Sequence, residues 1–407
     1  MTPLDTDIVY RTKAVAMGKA LGLFPYVAAF ARRYAPTGIG GLYAATRYDD
    51  VIEVFGTDPV FAAPYAANLA VITDDQPFFL AMGDTPSYHA QLDAMQAVVL
   101  PQDLPALADR AEARSAELVA QSGGTIDVVA LVRQTTFDVI AAYFGITEPP
   151  NGRLDIWSCR LFEFQFTGSL KDKAWVADAK NFAHAFQAHV DRTIVARKAA
   201  GGGPDDVLAR CLARQAAGDP RYGDIAIRTA LMCMVVGGPP QPPMVAPNAF
   251  EQLLRRPDWL AAAQAAARGD DDRRLHDIVF EAMRFDPLAP AMMRTVTRDY
   301  VLAQGTPRAR RVPRGATMMA SFASAMQDPR RIPDPKTFDP DRQPHEYIHF
   351  GHGLHECFGK AINHATLHRM LKPLLAQSGL RRAPGKSGKL RKVGAFADRL
   401  FVSFGES

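Results

Sequence analysis

The sequence predicts a mainly α-helical protein with small β-sheets, organised as a single domain over residues 1–407. Helical periodicity runs through most of the chain before residue 300; Phe137, Ile140 and Phe144, for example, share one helix face, and Gly145 then ends the run. Strand-like runs are few and short. The Gly- and Pro-rich loop at 199–206 has helical patterns on both sides, so it does not separate two domains.

Four short runs are expected to form strands, at 41–43, 300–303, 317–321 and 400–403. Residues 1–40 are treated as an N-terminal segment of the same domain. The apolar run in this segment, at 21–30, is ten residues long and is interrupted by Pro25. Such a run is too short to span a bilayer, and no signal-peptide pattern precedes it. We therefore expect no membrane anchor and a cytoplasmic location.

The net charge and the spacing of the cysteines argue against a nucleic-acid-binding protein and against a cysteine-ligated zinc site. Lys and Arg total 47 against 43 Asp and Glu, a formal charge of +4, which is too small to indicate a nucleic-acid partner. The four cysteines are scattered, without a CxxC pair or zinc-type spacing. This pattern is typical of a reducing compartment, where a single cysteine can act as a thiolate.

The segment Phe350-Gly-His-Gly-Leu-His-Glu-Cys-Phe-Gly359 carries the strongest chemical signal. Its glycines allow the backbone to approach a flat ligand closely. A helical pattern follows from about residue 358 to 371, so Cys357 is expected at a helix N-terminus, where the dipole and free N–H groups favour a thiolate. The pattern therefore predicts that Cys357 is a metal ligand.

This segment resembles the haem-binding signature of the cytochrome P450 superfamily, Phe-Gly-x-Gly-x-His-x-Cys-x-Gly, at every fixed position. The resemblance implies a haem b cofactor, held between the central helix and the helix after the cysteine loop, with Cys357 as the axial ligand. It further implies that Phe350 packs near the sulfur and that His355 binds a haem propionate. Gly351 and Gly359 then form the close backbone approach to the haem.

Other segments resemble motifs of the same family, in the expected order. Glu281 and Arg284 match its ExxR pair on a helix with an apolar stripe, and the two side chains share one face. Arg342 matches the arginine that completes this structural network. Arg294 and His89 match the arginine and histidine that bind haem propionates, and Arg suits a buried carboxylate because its guanidinium is bidentate.

Two positions depart from the family pattern. Asp93 stands where the family usually has an arginine, so either that helix is rotated or a propionate is held differently. In the central helix the family has an acid and a threonine that supply protons for dioxygen chemistry. Here Pro240 stands in place of the acid and Gln241 in place of the threonine. We take Gln241 and the preceding Gly237 and Gly238 as catalytic-site positions.

The prolines in this segment predict a broken helix. Pro239, Pro240, Pro242 and Pro243 each lack an N–H, and a proline inside a helix costs about 3 kcal/mol. We expect one helix over about 224–236, an opened segment, and a new helix near Pro242, because proline is tolerated in a first turn. The carbonyls of residues 234–238 then need other partners.

The resemblance implies a haem-thiolate monooxygenase that oxidises a small, mainly apolar molecule. No reductase domain is fused, so a ferredoxin- or flavodoxin-type protein would donate electrons, with Lys360, Arg369 and Lys372 as a basic docking face. Alternatives are a peroxygenase, isomerase or dehydratase that does not use dioxygen, since such relatives also lack the acid–threonine pair, and a non-catalytic haem-based ligand sensor.

Three alternating phenylalanines, Phe162, Phe164 and Phe166, fall in the region that the resemblance assigns to a mobile lid. They are expected either to line an apolar access channel or to pack in the core.

Overall fold

The computed structural model describes residues 27–34, 38–343, 346–394 and 396–405. Residues 21–26 of the N-terminal apolar run lie outside these ranges. A helical turn covers residues 27–31. The helices that follow are α1 Tyr48–Gly56, α2 Ala66–Thr73, α3 Pro86–Gln96, α4 Leu104–Gln121, α5 Val128–Thr136, α6 Leu154–Thr167, α7 Lys173–Ala200, α8 Val207–Ala216, α9 Asp224–Gly237, α10 Pro242–Leu254, α11 Pro257–Arg268, α12 Asp272–Phe285, α13 Phe322–Ala325 and α14 Lys360–Leu375.

Within the described ranges the strands are short and form four small sheets. They are β1 Gly38–Ile39, β2 Leu42–Ala45, β3 Phe61–Ala62, β4 Thr125–Asp127, β5 Met292–Val296, β6 Tyr300–Leu302, β7 Arg310–Val312, β8 Thr317–Ala320, β9 Arg381–Arg382, β10 Arg391–Val393, β11 Phe396–Arg399 and β12 Phe401–Ser403. The four predicted strand runs are confirmed as β2, β6, β8 and β12, and the predicted class, mainly helical with small sheets, is confirmed.

The largest sheet has the strand order β1-β2-β8-β5-β3. β2 and β8 are parallel, with Leu42 opposite Thr317, and the other neighbouring pairs are antiparallel. Side chains alternate between the two faces of a strand, so in β5 Arg294 is buried while Thr295 is exposed. The sheet thereby directs a cation into the interior. The remaining sheets are β4-β12-β9 and the hairpins β6-β7 and β10-β11.

Two apolar cores support these elements. The larger one fills the space between the helices, and the smaller one lies between α1, α13 and the five-stranded sheet. The apolar stripe expected on α12 is confirmed, because Leu275, Ile278, Val279 and Ala282 are all fully buried. α14 packs along α4, where the Ser115 hydroxyl donates to the Met370 carbonyl at 2.6 Å.

The break in the central helix is confirmed. α9 ends at Gly237, and α10 begins at Pro242. The prediction at 137–144 is refined: Phe137–Ala141 forms a π-helical turn that continues α5, and Gly145 ends the run with a φ of 80°. Within the described ranges, no helix combines the length and the apolar character needed to cross a bilayer.

Candidate haem-thiolate site

An internal cavity of about 280 Å³ brings together residues from the cysteine loop and from the helix break. Cys357 lines this cavity, and so does Gln241. Most of the other lining side chains are apolar, and many come from α2, the turn that follows α5, α9 and the loop before β5. The residues expected around a haem that line it are Gly237, Gly238, Arg294, Phe350, Gly351, His355 and Gly359.

Backbone hydrogen bonds hold the cysteine loop in shape. The N–H of Cys357 donates to the Phe350 carbonyl at 2.9 Å, and the Cys357 carbonyl accepts from the Lys360 N–H at 3.1 Å. Gly353 has a φ of 73°, and a Cβ there would lie 2.6 Å from the Phe55 carbonyl oxygen. Glycine is required at this position, because the loop packs directly on α1.

The fold alone does not make Cys357 a thiolate. Burial raises the pKa of this thiol, and the hydrogen bond from the Gly359 N–H opposes the rise only in part. α14 begins three residues after the cysteine, at Lys360, and Gly359 is its N-cap residue. The Gly359 N–H at the helix N-terminus thus acts in the expected direction, but burial outweighs it. A coordinating metal would deprotonate the sulfur, as coordinated metals do for thiols.

Arg294 and His355 form a buried basic corner of the cavity. Arg294 is 5% exposed and donates to the Met293 carbonyl at 3.0 Å, while its guanidinium lies 4.9 Å from the Phe55 ring centre. Within the described part of the chain, no carboxylate lies within 4.0 Å of this cation. Burial accordingly lowers the pKa of Arg294. A buried arginine that interacts with the Tyr65 side chain but with no carboxylate within 4.0 Å fits a propionate of an incoming haem.

His355 lies beside a carboxylate in the same corner. Its Nε2 is 2.8 Å from Asp58 Oδ1, and its Nδ1 is buried without a hydrogen-bond partner. Burial lowers the pKa of His355, and the nearby Asp58 opposes this effect. A neutral ring that donates from Nε2 to Asp58 has an acceptor at Nδ1, and Nδ1 donates to an anionic group only in the imidazolium form. Arg294 is therefore the group at this corner that fits a haem propionate.

The structure does not bring His89 to the cavity. This side chain is 55% exposed and pairs with Asp84 at 2.6 Å, on the outside of α3. Asp93, one turn later, is also exposed. The inward-facing residue is Tyr88, whose hydroxyl donates to the Leu354 carbonyl at 2.7 Å. Of the two explanations for Asp93, this orientation favours a rotated helix, and we withdraw His89 as a propionate ligand.

Glu281, Arg284 and Arg342 do come together, behind the cysteine loop. Arg284 Nε and Nη2 donate to the two Glu281 carboxylate oxygens at 2.8 and 2.6 Å, and both side chains are fully buried. Arg342 Nε is 3.5 Å from Glu281 Oε1. Sequence reasoning missed two further donors to this carboxylate, the Tyr347 hydroxyl and the Asp339 N–H, each at 2.9 Å.

Gln241 closes part of the helix break. Its side-chain nitrogen donates to the Gly237 carbonyl, and its N–H donates to the Gly238 carbonyl at 3.1 Å. The Met234 carbonyl accepts from the Gly238 N–H at 2.8 Å. Three of the carbonyls expected to be free therefore have protein partners. The residues four positions after Val235 and Val236 are Pro239 and Pro240, which have no N–H to donate to the Val235 and Val236 carbonyls.

The proposed basic docking face is not available in the expected form. Arg369 binds Asp109, Glu112 and Asp272, and Lys372 lies 2.7 Å from Asp272 and 2.9 Å from Asp270. Lys360 pairs with Glu356 at 2.8 Å. These cations are neutralised by carboxylates, several of them from α4, so the surface is of mixed charge.

The three lid phenylalanines have different positions. Phe166 lines the cavity, whereas Phe164 is fully buried in the core. Phe162 is also buried and packs between Phe166 and Phe396, with ring centres 4.7 and 5.9 Å apart. Sequence reasoning missed Tyr65, Thr136 and Gln165, which also line the cavity, because no local pattern distinguishes them from other helix residues.

Comparisons with known proteins agree with this geometry. Residues 274–387 match the family model described as Cytochrome P450, a range that contains the Glu281 network and the cysteine loop. The chain is 26% identical over 323 residues to cyclomarin C epoxidase CymV of Salinispora arenicola, covering 78% of each protein. It is 30% identical over 160 residues to a bifunctional dioxygenase–epoxy alcohol synthase of Fusarium oxysporum, covering 36% of this chain and 12% of that relative.

The same fold recurs in solved structures. Ligand-free cytochrome P450 TbtJ1 aligns with a TM-score of 0.77 and 22% identity, over 95% of this chain and 98% of TbtJ1. P450BioI, solved in complex with hexadec-9Z-enoic acid ligated acyl carrier protein, aligns with a TM-score of 0.79 and 17% identity, over 96% and 100% of the two chains. These alignments show that the chain has the cytochrome P450 fold. Its residues 274–387, which contain the cysteine loop, match the Cytochrome P450 family model, and the basic corner fits the haem that this family binds.

Proposed function

We propose that this protein is a haem-thiolate monooxygenase that oxidises a small, mainly apolar organic molecule with electrons from a separate ferredoxin- or flavodoxin-type partner. The observation that carries the proposal is the single cavity lined by both Cys357 and the helix break. When bound, a thiolate-ligated haem supplies oxidising chemistry, because the sulfur donates electron density that favours O–O cleavage. We place the protein in the cytoplasm, where its cysteines would stay reduced.

The cavity wall supports an apolar substrate. Leu69, Ile72, Ile140 and Phe144 line it, and Phe166 contributes a further aromatic surface. Burying such surface excludes water and contributes about 25 cal/mol per Å² of apolar area removed from solvent. The substrate would therefore be held mainly by shape and apolar contact, and few polar groups would orient it.

Gln241 is the polar residue of the break that faces the substrate space. Its amide nitrogen is engaged by the Gly237 carbonyl, so its oxygen is the end that can accept a hydrogen bond from water or substrate. An amide cannot donate a proton as an acid does. In this proposal Gln241 positions a group, and water passes the proton.

The test is an isotope-labelling experiment on the haem-loaded protein. A surrogate ferredoxin and its reductase would supply electrons, and candidate apolar substrates would be selected by the shift that they cause in the haem absorption band. With labelled dioxygen we expect one labelled oxygen atom in the product. Product that carries oxygen only from water, or no product with any donor, would contradict the proposal.

A second candidate is an enzyme that uses peroxide or rearranges an oxygenated substrate. The replacement of the acid and threonine by Pro240 and Gln241 favours it, because such chemistry needs no proton delivery to dioxygen. The name of the Fusarium relative, an epoxy alcohol synthase, also favours it. Conversion of a lipid hydroperoxide under argon, without reductant, would support this candidate. Ligand binding without turnover in either assay would support a sensor.

A further inference from the structure

A buried acceptor in the wall of the haem cavity has no donor. Gln165, in the last turn of α6, lines the cavity and is 8% exposed. Its Oε1 is buried without a hydrogen-bond partner among the described residues. Buried polar atoms of folded proteins are normally paired, because a buried atom has lost its hydrogen bonds to water. A ligand that donates a hydrogen bond to this oxygen would restore the missing interaction.

The orientation of the Gln165 amide is fixed by its neighbours. Its Nε2 donates to the Tyr65 carbonyl at 3.2 Å. A carbonyl can only accept, so the nitrogen is the end of the amide that faces Tyr65, and the oxygen is the end without a partner. The backbone around Gln165 is also tied to α2, because Asn68 Nδ2 donates to the carbonyls of Phe164 and Gln165 at 2.8 and 3.2 Å. The acceptor is therefore held in place before any ligand binds.

The hydroxyl groups of the cavity wall also present acceptors. Thr136 and Thr366 line the cavity, and each donates its single hydroxyl hydrogen to its own helix. The Thr136 hydroxyl donates to the Val132 carbonyl, and the Thr366 hydroxyl donates to the Ile362 carbonyl at 2.8 Å. Their oxygens can then only accept from a ligand, as the oxygen of Gln241 does. A substrate that offers a donor therefore matches this wall better than one that offers only acceptors.

The wall also favours a neutral donor. Among the described residues that line the cavity there is no Asp or Glu, so an ammonium group would be buried without a counter-ion. Arg294 fits a haem propionate, so it is not free to bind a carboxylate of the substrate once haem is bound. An amide substrate would bring its own carbonyl, which would need a further donor. A hydroxyl group supplies the donor without adding a carbonyl.

We infer that the substrate is a neutral, mainly apolar alcohol whose hydroxyl group donates a hydrogen bond to Gln165 Oε1, so that Gln165 determines specificity. The inference deepens the proposed function, because it names the substrate class and rests on this cavity being the substrate site. The apolar body of the alcohol would pack against the rest of the wall. Replacing the alcohol by an ether of the same size would leave the Gln165 oxygen buried and unpaired.

The experiment compares the dissociation constants of two isomers, 1-decanol and methyl nonyl ether, by calorimetric titration of the haem-loaded ferric protein. The isomers contain the same atoms and have similar apolar surfaces, but the ether has no hydrogen to donate. We expect 1-decanol to bind roughly five- to tenfold more tightly, the effect of one net hydrogen bond. Decylammonium chloride, the charged analogue, should bind more weakly than 1-decanol.

Two variants locate the preference. Gln165→Met keeps the length of the side chain and removes the acceptor, so the ratio of the two dissociation constants should fall close to one. Gln187→Met is the matched control. Gln187 is 7% exposed, donates from Nε2 to the Ile72 carbonyl of α2 at 3.0 Å and does not line the cavity. Gln187→Met should therefore keep the wild-type preference for the alcohol.

Equal affinities of the wild-type protein for the two isomers would overturn the inference. A preference that survives in Gln165→Met would also overturn it, and an alcohol that bound the haem iron itself would give that result. If Gln165→Met does not fold, or if the control also loses the preference, a crystal structure of the wild-type protein with 1-decanol decides. A hydroxyl oxygen about 2.7–2.8 Å from Gln165 Oε1 supports the inference, and a hydroxyl bound elsewhere overturns it.

The titration needs neither electrons nor turnover, so its outcome does not depend on the reaction. A protein that prefers 1-decanol through Gln165 but consumes no dioxygen would refute the proposed function alone. A protein that inserts oxygen from dioxygen but does not distinguish the two isomers would refute this inference alone.

Discussion

Removal of the Glu281 carboxylate is expected to be among the most costly single changes in this protein. Glu281 accepts two hydrogen bonds from Arg284 and one each from Tyr347 and the Asp339 N–H, and it is fully buried. Glu281→Ala would leave the buried Arg284 cation without a carboxylate. Breaking a buried pair in this way costs about 3–5 kcal/mol.

This cost can be converted into a melting temperature. The entropy of unfolding is about 2.1 cal/mol/K per residue, which for 407 residues gives roughly 0.9 kcal/mol/K. Glu281→Ala should therefore lower the Tm by about 4–6 °C. The matched control is Asp277→Asn on the same helix, which removes partly exposed pairs with Arg273 and His276 and should cost at most about 1 kcal/mol.

Calorimetry of the wild-type protein and the two variants measures both shifts. Arg284 also donates to the carbonyls of Met326 and Pro335, so part of its hydrogen bonding survives in Glu281→Ala. Equal Tm shifts in the two variants, or a loss below about 1 kcal/mol for Glu281→Ala, would refute the reasoning that burial sets the cost.

Three further predictions follow from the site and its surroundings. Cys357→Ser should abolish the long-wavelength absorption band that reduced haem-thiolate proteins show with carbon monoxide, and retention of that band would exclude Cys357 as the ligand. Gly353→Ala should lower Tm and haem retention more than Gly351→Ala. Both positions have a positive φ, but only a Cβ at 353 would lie 2.6 Å from the Phe55 carbonyl oxygen. Equal losses of haem binding in titrations of the two variants would argue against that contact. Burial lowers the pKa of His368 from 6.5 to about 4, so the unfolded chain takes up the proton first and stability falls as pH drops below 6.5. At pH 5 this amounts to about 2 kcal/mol, and His368→Leu should flatten that part of the pH–stability curve measured by urea unfolding.

Local chemistry explains which features could be predicted from the sequence. The helix break followed from proline alone, because a missing N–H and a fixed φ act within a few residues. The ExxR pair followed from helical spacing, since residues three apart share a face. The glycines of the cysteine loop could also be identified locally, because glycine allows close backbone approach and a positive φ. Gly351 and Gly353 do adopt positive φ values.

Features that depend on packing between distant segments could not be predicted. His89 matched a motif, yet the orientation of α3 is set by Tyr88, which reaches the cysteine loop at Leu354. Lys372 looked like a docking residue, but Asp270 and Asp272 neutralise it across a gap of about 100 residues. The pKa of Cys357 depends on how deeply the fold buries it, which a helix position does not specify.

The helix break has a consequence for ligand binding that follows from covalent structure. A helix opened only by its ligand must lose hydrogen bonds when the ligand enters, and that cost reduces affinity. Here Pro239 and Pro240 hold the gap open in every state of the protein, because neither can donate to the carbonyl four residues back. Binding at the break is therefore preorganised. Restoring a continuous helix would require Pro239, Pro240, Pro242 and Pro243 to change together, so the opened form is protected against single substitutions.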